Sequence, residues 1–221
     1  MVIGERKPMD EIRAMISNYN KILVLGCEGC VAIHMAGGEK EVGILASVLR
    51  LAEPAKTFVE GTVQRQCEPE FIEEIAQLAA ECDVILSMAC GAGVQHVAEF
   101  LPGKRVLPAL NTTGIVVTEM QGKWGERCLA CGDCVLDRTG GICPITRCSK
   151  GLLNGPCGGS QNGMCEIDPE NVECGWQLIY DRLEQLGELD RMEEIWLPKD
   201  WSKAHDGGPR RRIREDMVLD A

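Results

Sequence analysis

Lys21-Ile22-Leu23-Val24-Leu25-Gly26-Cys27-Glu28-Gly29-Cys30 is the stretch that decides the fold. Four consecutive apolar residues closed by a glycine read as a short strand buried on both faces. Working outward, residues 39–53 carry Val42, Leu45, Ala46 and Leu49 at helical spacing, and residues 56–63 read as a second strand. Pro69 opens a helix with Phe71, Ile72, Ile75 and Leu78 on one face. Residues 83–88 give a third strand, a helix follows near 93–100, and residues 104–110 give a fourth strand. Upstream, Asp10 to Tyr19 suits a helix with Ile12, Met15 and Ile16 on one side. Strands alternating with helices require right-handed crossovers, so the fold class is α/β with an N-terminal, open, mostly parallel sheet.

The 221 residues are 45% hydrophobic and 26% charged, which excludes wholesale disorder. No apolar run approaches the roughly 18 residues of a membrane span. Residues 1–11 lack the apolar centre of a signal peptide, and a cytoplasmic location is expected. A net charge of −11 argues against a nucleic-acid backbone as partner and favours proteins or small molecules. Thirteen cysteines in a reducing compartment call for a reason other than disulfides, and metal ligation is the first candidate.

Cys27 and Cys30 follow the first strand, Cys67 the second and Cys90 the third. All four then stand at the carboxyl ends of neighbouring strands, where open α/β sheets build their sites. Four thiolates on one edge form a candidate cage for a 4Fe-4S cluster. Gly26, Gly29, Gly91 and Gly93 are expected to let backbone amides approach the sulfurs. The alternatives are small buried hydrophobes at Cys67 and Cys90, or a redox dithiol at Cys27/Cys30. Cys82, out of step with the other four, reads as core. No glycine-rich nucleotide loop follows the first strand.

Eight further cysteines fall between 128 and 174, in a stretch too rich in Gly and Pro to pack well without a metal or another subunit. Cys128-x2-Cys131-x2-Cys134, followed by Cys143-Pro144, is a ferredoxin-like run with a longer last gap. Cys148, Cys157 and Cys165 follow. One cluster takes four of these seven cysteines; the other three leave room for a zinc ion or a second cluster, with Cys174 as a further ligand. The glycines around Cys157 suit a segment that points amides at sulfur, and Leu152 and Leu153 mark it as a packed turn.

Cys128-x2-Cys131-Gly-x-Cys134-Val-Leu, Thr139-Gly-Gly-Ile-Cys143-Pro, Cys148-x-Lys-Gly-Leu-Leu-Asn-Gly-Pro-Cys157-Gly-Gly and Gly163-Met-Cys165-Glu together resemble the C-terminal domain family of methylenetetrahydrofolate reductase. With its N-terminal half, the chain resembles the small iron–sulfur subunits of that reductase over about residues 1–200, most specifically over 128–168. The resemblance implies a flavin-containing catalytic subunit of the MetF type as partner, an upstream redox protein, and one-carbon metabolism with electrons relayed through iron–sulfur clusters. It carries Cys128, Cys131, Cys134, Cys143, Cys148, Cys157 and Cys165 as candidate ligands, with 4Fe-4S clusters (two) or zinc in the C-terminal module. The chain is then a non-catalytic subunit of an oxidoreductase, since it is too short for a (β/α)8 barrel beside the cysteine module. A zinc-stapled structural adapter, and an Fe-S subunit of a hydrogenase or heterodisulfide-reductase type complex, are the alternatives.

The expected organisation is an α/β domain over 1–120, a smaller, loop-dominated, Cys-rich metal-binding module over 121–170, closing helices over 171–197 and a tail over 198–221. Residues 171–187 form an amphipathic helix with Trp176, Ile179, Tyr180, Leu183 and Leu186 on one face, expected to pack on the first domain; Met192, Ile195 and Trp196 extend that face. The tail holds a linker and a basic run over His205–Arg214. His34 could approach the first cluster, although a loop hydrogen-bonding role is the simpler one; neither His96 nor His205 is given a role. No Ser-His-Asp set and no His-Glu-x-x-His motif is present.

Overall fold

The computed structural model describes residues 1–204 and Asp216. The expected linker and basic run over 205–214 lie outside the described residues. The chain divides into two compact units, residues 1–125 and 126–221.

In chain order the first unit comprises β1 (Val2–Arg6), α1 (Met9–Met15), β2 (Lys21–Cys27), α2 (Cys30–Ile33), α3 (Glu39–Ala52), β3 (Thr57–Val63), α4 (Pro69–Glu73), α5 (Ala76–Ala80), β4 (Val84–Ser87), α6 (Gly91–Phe100), β5 (Arg105–Pro108) and β6 (Leu110–Met120); β7 (Lys123–Cys128) leads into the second unit. A four-stranded sheet runs β3-β2-β4-β5, and every pair in it is parallel. β2 is central, which is why its residues from Ile22 to Leu25 are fully buried. One sheet face packs Ile22, Val24, Val84 and Leu86 against Ile12 and Ile16 and against Val42, Leu45, Ala46 and Leu49 of α3. The other packs Leu23, Leu25 and Ile85 against Ile72, Ile75, Ala79 and Val97. Burying both faces of a parallel sheet under helices is what makes its strands apolar without alternation.

The parallel α/β sheet agrees with the sequence reading; three details differ. A second sheet, β1-β6-β7, stands beside the parallel one, with β1 antiparallel to β6 and a bulge between Ile3 and Gly4. The β1–β6 pairs join residues more than a hundred positions apart, such as Val2 with Ile115, which no local pattern announces. The helix expected from Pro69 is two short helices, reset at Ile75 (φ −104°, ψ 0°), so that Ile72 and Ile75 both reach the core. The glycines have another purpose. A Cβ on Gly26 would come within 2.7 Å of Val42, and one on Gly93 within 2.9 Å of both Ala89 and Gln66. Those two serve close packing; the Gly91 amide donates to Thr112 Oγ1, and only Gly29 has a sulfur, Cys27 Sγ, nearest to it.

The second unit has little regular structure: a short helix α7 (Pro144–Arg147), the helix α8 (Gly175–Leu186) and 3-10 turns. Its core is Cys174, Trp176, Ile179, Leu183 and Trp196, with Val135, Ile142, Cys148, Leu152, Leu153, Leu189 and Met192 packed against them. The buried stripe of α8, expected to pack on the first domain, is covered here by its own unit. Tyr180 and Leu186 lie half-exposed at its margin, and Ile195 is 89% exposed, outside the face it was expected to extend. The helix ends at Gly187 in the left-handed conformation (φ +72°), the usual glycine solution at a helix C-terminus.

Candidate metal centres

The first candidate site lies at the carboxyl edge of the parallel sheet. Cys27 ends β2, Cys30 opens α2, Cys67 sits in the loop after β3, and Cys90 precedes α6 after β4. Because β3, β2 and β4 are adjacent, three neighbouring strand ends carry the four thiols. Cys27 is buried in a small cluster with Val31, Ala89 and Leu110, against which Cys90 packs; Cys67 is exposed. Although the residue is open to solvent, partial desolvation of its sulfur pushes the Cys67 thiol up, and the Cys27 and Cys90 thiols reinforce the rise when charged. Cys30 stands at the first turn of α2, on the same edge. Bringing several thiolates together raises the cost of each new charge, which a metal cation offsets.

One residue that the sequence reading missed holds this edge together. Gln66 is completely buried. Its Nε2 donates to Leu25 O and Gly26 O, both at 3.0 Å, and its Oε1 accepts from Ser87 Oγ at 2.6 Å. Ser87 Oγ in turn accepts from the Ala89 N–H at 3.3 Å. This network ties the loop carrying Cys67 to the ends of β2 and β4. A buried amide that satisfies its hydrogen bonds rigidifies what it joins. Nothing in the local sequence separates it from exposed Gln64.

Cys82 is buried in the core with Ile85 and Val97. His34 is buried; its Nε2 accepts from the Gly4 N–H at 3.2 Å, and its ring meets Trp124 edge-on at 6.0 Å. Burial lowers its pKa. It thus fastens β1 through a hydrogen bond.

The second unit sorts its cysteines into two groups. Cys128, Cys131, Cys134 and Cys143 line one cavity of about 220 Å³, together with Leu129, Val135, Leu136 and Ile145. The loop is built on left-handed residues, Ala130 (φ +52°) and Gly132 (φ +77°). The Ala130 N–H donates to Cys128 Sγ at 3.3 Å, so an amide two positions on points at sulfur. The same turn recurs at Cys157, where Gly158 is left-handed (φ +78°) and the Gly159 N–H donates to Cys157 Sγ at 3.4 Å.

Cys148, Cys157 and Cys165 do not line that cavity. Cys148 packs against the α8 core. The Cys157 thiol donates to Glu166 Oε2 at 3.6 Å, and the other Glu166 oxygen pairs with Lys150 Nζ. That bond, the leading cause for both partners, holds Glu166 below and Lys150 above their ordinary values. Cys165 contacts Ser149 Oγ at 3.4 Å, and this hydrogen bond draws its thiol down. Cys174, suggested as a further ligand, caps α8 and is buried in the core.

Among the described residues, no group of three or more His, Cys, Asp or Glu side chains is gathered tightly enough to hold one metal ion. A 4Fe-4S core takes one thiolate at each iron corner, so its ligands stand wider apart than those of a single ion. No helix among the described residues is long and apolar enough to cross a membrane.

Residues 107–202 match the family model described as methylene-tetrahydrofolate reductase C terminal. The match covers less than half of the chain and takes in all seven cysteines from Cys128 to Cys165; this part of the chain is similar to the C-terminal domain of that reductase. Neither the curated proteins nor the solved structures gave a match.

Proposed function

We propose that the chain is the iron–sulfur, electron-transfer subunit of a methylenetetrahydrofolate reductase complex, of the MetV type, working with a flavin-containing catalytic subunit. The observation that carries this reading is the cavity ringed by Cys128, Cys131, Cys134 and Cys143 within the stretch that matches the reductase domain. The donor set suits the group. Four soft thiolates match the ligand count of a 4Fe-4S core, and amides directed at sulfur stabilise anionic thiolates. Cys27, Cys30, Cys67 and Cys90 form the second candidate set, at a sheet edge that Gln66 holds in place. Bound there, the clusters would supply one-electron transfer. The protein's share is to present thiolates, exclude water around Cys27, and set local charge.

A zinc-stapled adapter is the second reading. The amide-to-sulfur turns at Cys128 and Cys157 are of the kind a zinc knuckle uses, although structural zinc, like a cubane, takes four ligands, so Cys148, Cys157 and Cys165 need a fourth for either.

Anaerobic purification followed by iron, acid-labile sulfide and zinc analysis separates the two. About eight irons per chain with matching sulfide supports two clusters and the relay. About four irons with one zinc keeps the relay with a single cluster. Zinc alone leaves the adapter. Co-purification then tests the partner: the flavin-bearing subunit is expected to come down with the chain.

A further inference from the structure

We infer that Lys199 is a positioning residue for the Cys128–Cys143 centre: it straps the Cys131–Cys134 loop from behind and supplies the positive charge that sets the centre's potential. The inference rests on the metal-centre reading above and goes beyond it, because Lys199 lies far from every cysteine motif in sequence.

The Lys199 side chain is only 2% exposed. Burying an ammonium costs several kcal/mol unless it is paired and hydrogen-bonded. Its partners among the described residues belong to the loop or to the strap itself. Nζ donates to the backbone carbonyl of Asp133 and stands 3.7 Å from Asp133 Oδ2. It also lies 5.8 Å from the centre of the Trp201 ring. Lys203 reaches the other Asp133 oxygen at 3.5 Å. Gly132 makes this approach possible: a Cβ there would lie 2.3 Å from the Lys203 carbonyl, in a left-handed conformation that already favours glycine. Residues 199–203 thus lie directly on Gly132-Asp133, between two cysteines of the cavity.

The Asp133 carbonyl has a second donor, the Cys131 thiol at 3.8 Å. Once Cys131 becomes a thiolate ligand it has no proton to donate, and Lys199 remains to hold that carbonyl. A cation beside a redox centre favours its more reduced, more negative state. Removing Lys199 therefore lowers the potential, whereas removing the Asp133 charge raises it. A merely structural role predicts no such opposition of sign.

The test uses the full chain, loaded anaerobically with ferrous iron and sulfide, as wild type, Lys199→Met, Lys199→Arg and Asp133→Asn. Iron retention against a chelator and the midpoint potentials are read for each. Lys199→Met is expected to weaken iron retention about ten-fold and to shift one cluster to lower potential, with the other unmoved. Lys199→Arg restores retention, and Asp133→Asn shifts the same cluster upward. If Lys199→Met fails to fold, as judged by circular dichroism, the upward shift in Asp133→Asn carries the test. Wild-type retention and potential in Lys199→Met, or shifts of the same sign in Lys199→Met and Asp133→Asn, overturn the inference alone. A wild-type chain that takes up no iron overturns the metal-centre reading, and this inference with it.

Discussion

In the first unit the candidate thiols stand at the ends of strands that are buried by their own side chains; in the second they stand on left-handed turns around a core of a few large residues. The first arrangement has a scaffold that needs no ligand. Leu23, Leu25, Ile22 and Val24 are fully covered by helices on both sheet faces, and Gln66 locks the loop above them. The second has a core of Cys174, Trp176, Ile179, Leu183 and Trp196 around α8, for a unit otherwise made of the short α7 and turns. A unit with so small a core draws a larger share of its order from whatever binds its thiolates.

Metal removal separates the units most sharply. Stripping the anaerobically purified chain with a chelator is expected to raise amide hydrogen exchange across 126–196 by about ten-fold or more, while β2 and β4 stay protected. Equal loss of protection in both would break the contrast. Next in size, Leu23→Ala opens a cavity in the first core and should cost about 3 kcal/mol in urea unfolding of that unit; exchange protection around Trp176 should not change. Gln66→Ala leaves the Ser87 hydroxyl without its acceptor and should cost about 2 kcal/mol, with faster alkylation of Cys67. An unchanged Cys67 rate would show that the loop is held by something other than Gln66.

The smallest effect is in pH. Burial lowers the His34 pKa in the folded chain, so the unfolded chain binds this proton more readily. The stabilisation is complete above the ordinary histidine value of about 6.5 and is lost as pH falls from there through the lower folded value. First-unit stability should therefore decline below about pH 6.5, and His34→Gln should flatten that part of the curve in a thermal melt series. A curve unaltered by the substitution would assign the decline to other groups.

The parallel sheet was legible because its two central strands are locally complete: Ile22–Leu25 and Val84–Leu86 are unbroken apolar runs closed by small or polar residues. From that, the placing of Cys27, Cys30, Cys67 and Cys90 at one edge follows by topology, and the structure puts them there. The β1-β6 pairing was not legible, because its partners lie over a hundred residues apart and β1 has no apolar run of its own. For the same reason Lys199, in a stretch of mixed polarity, gave no sign of reaching Asp133. Gly26 and Gly93 show the reverse error: they stand beside cysteines in sequence, yet their missing side chains accommodate Val42, Ala89 and Gln66.

By itself the sequence determined the α/β sheet, the buried stripe of α8 and the gathering of cysteines into two regions, since periodicity and spacing are local properties of a chain. Only the tertiary structure decided how the cysteines of the second region are grouped. It put Cys128, Cys131, Cys134 and Cys143 on one cavity, set Cys157 against Glu166 and Cys165 against Ser149, and buried Cys174 in the α8 core. Spacing says which thiols are near along the chain. Turns at positive φ and the packing of distant segments decide which of them face the same space.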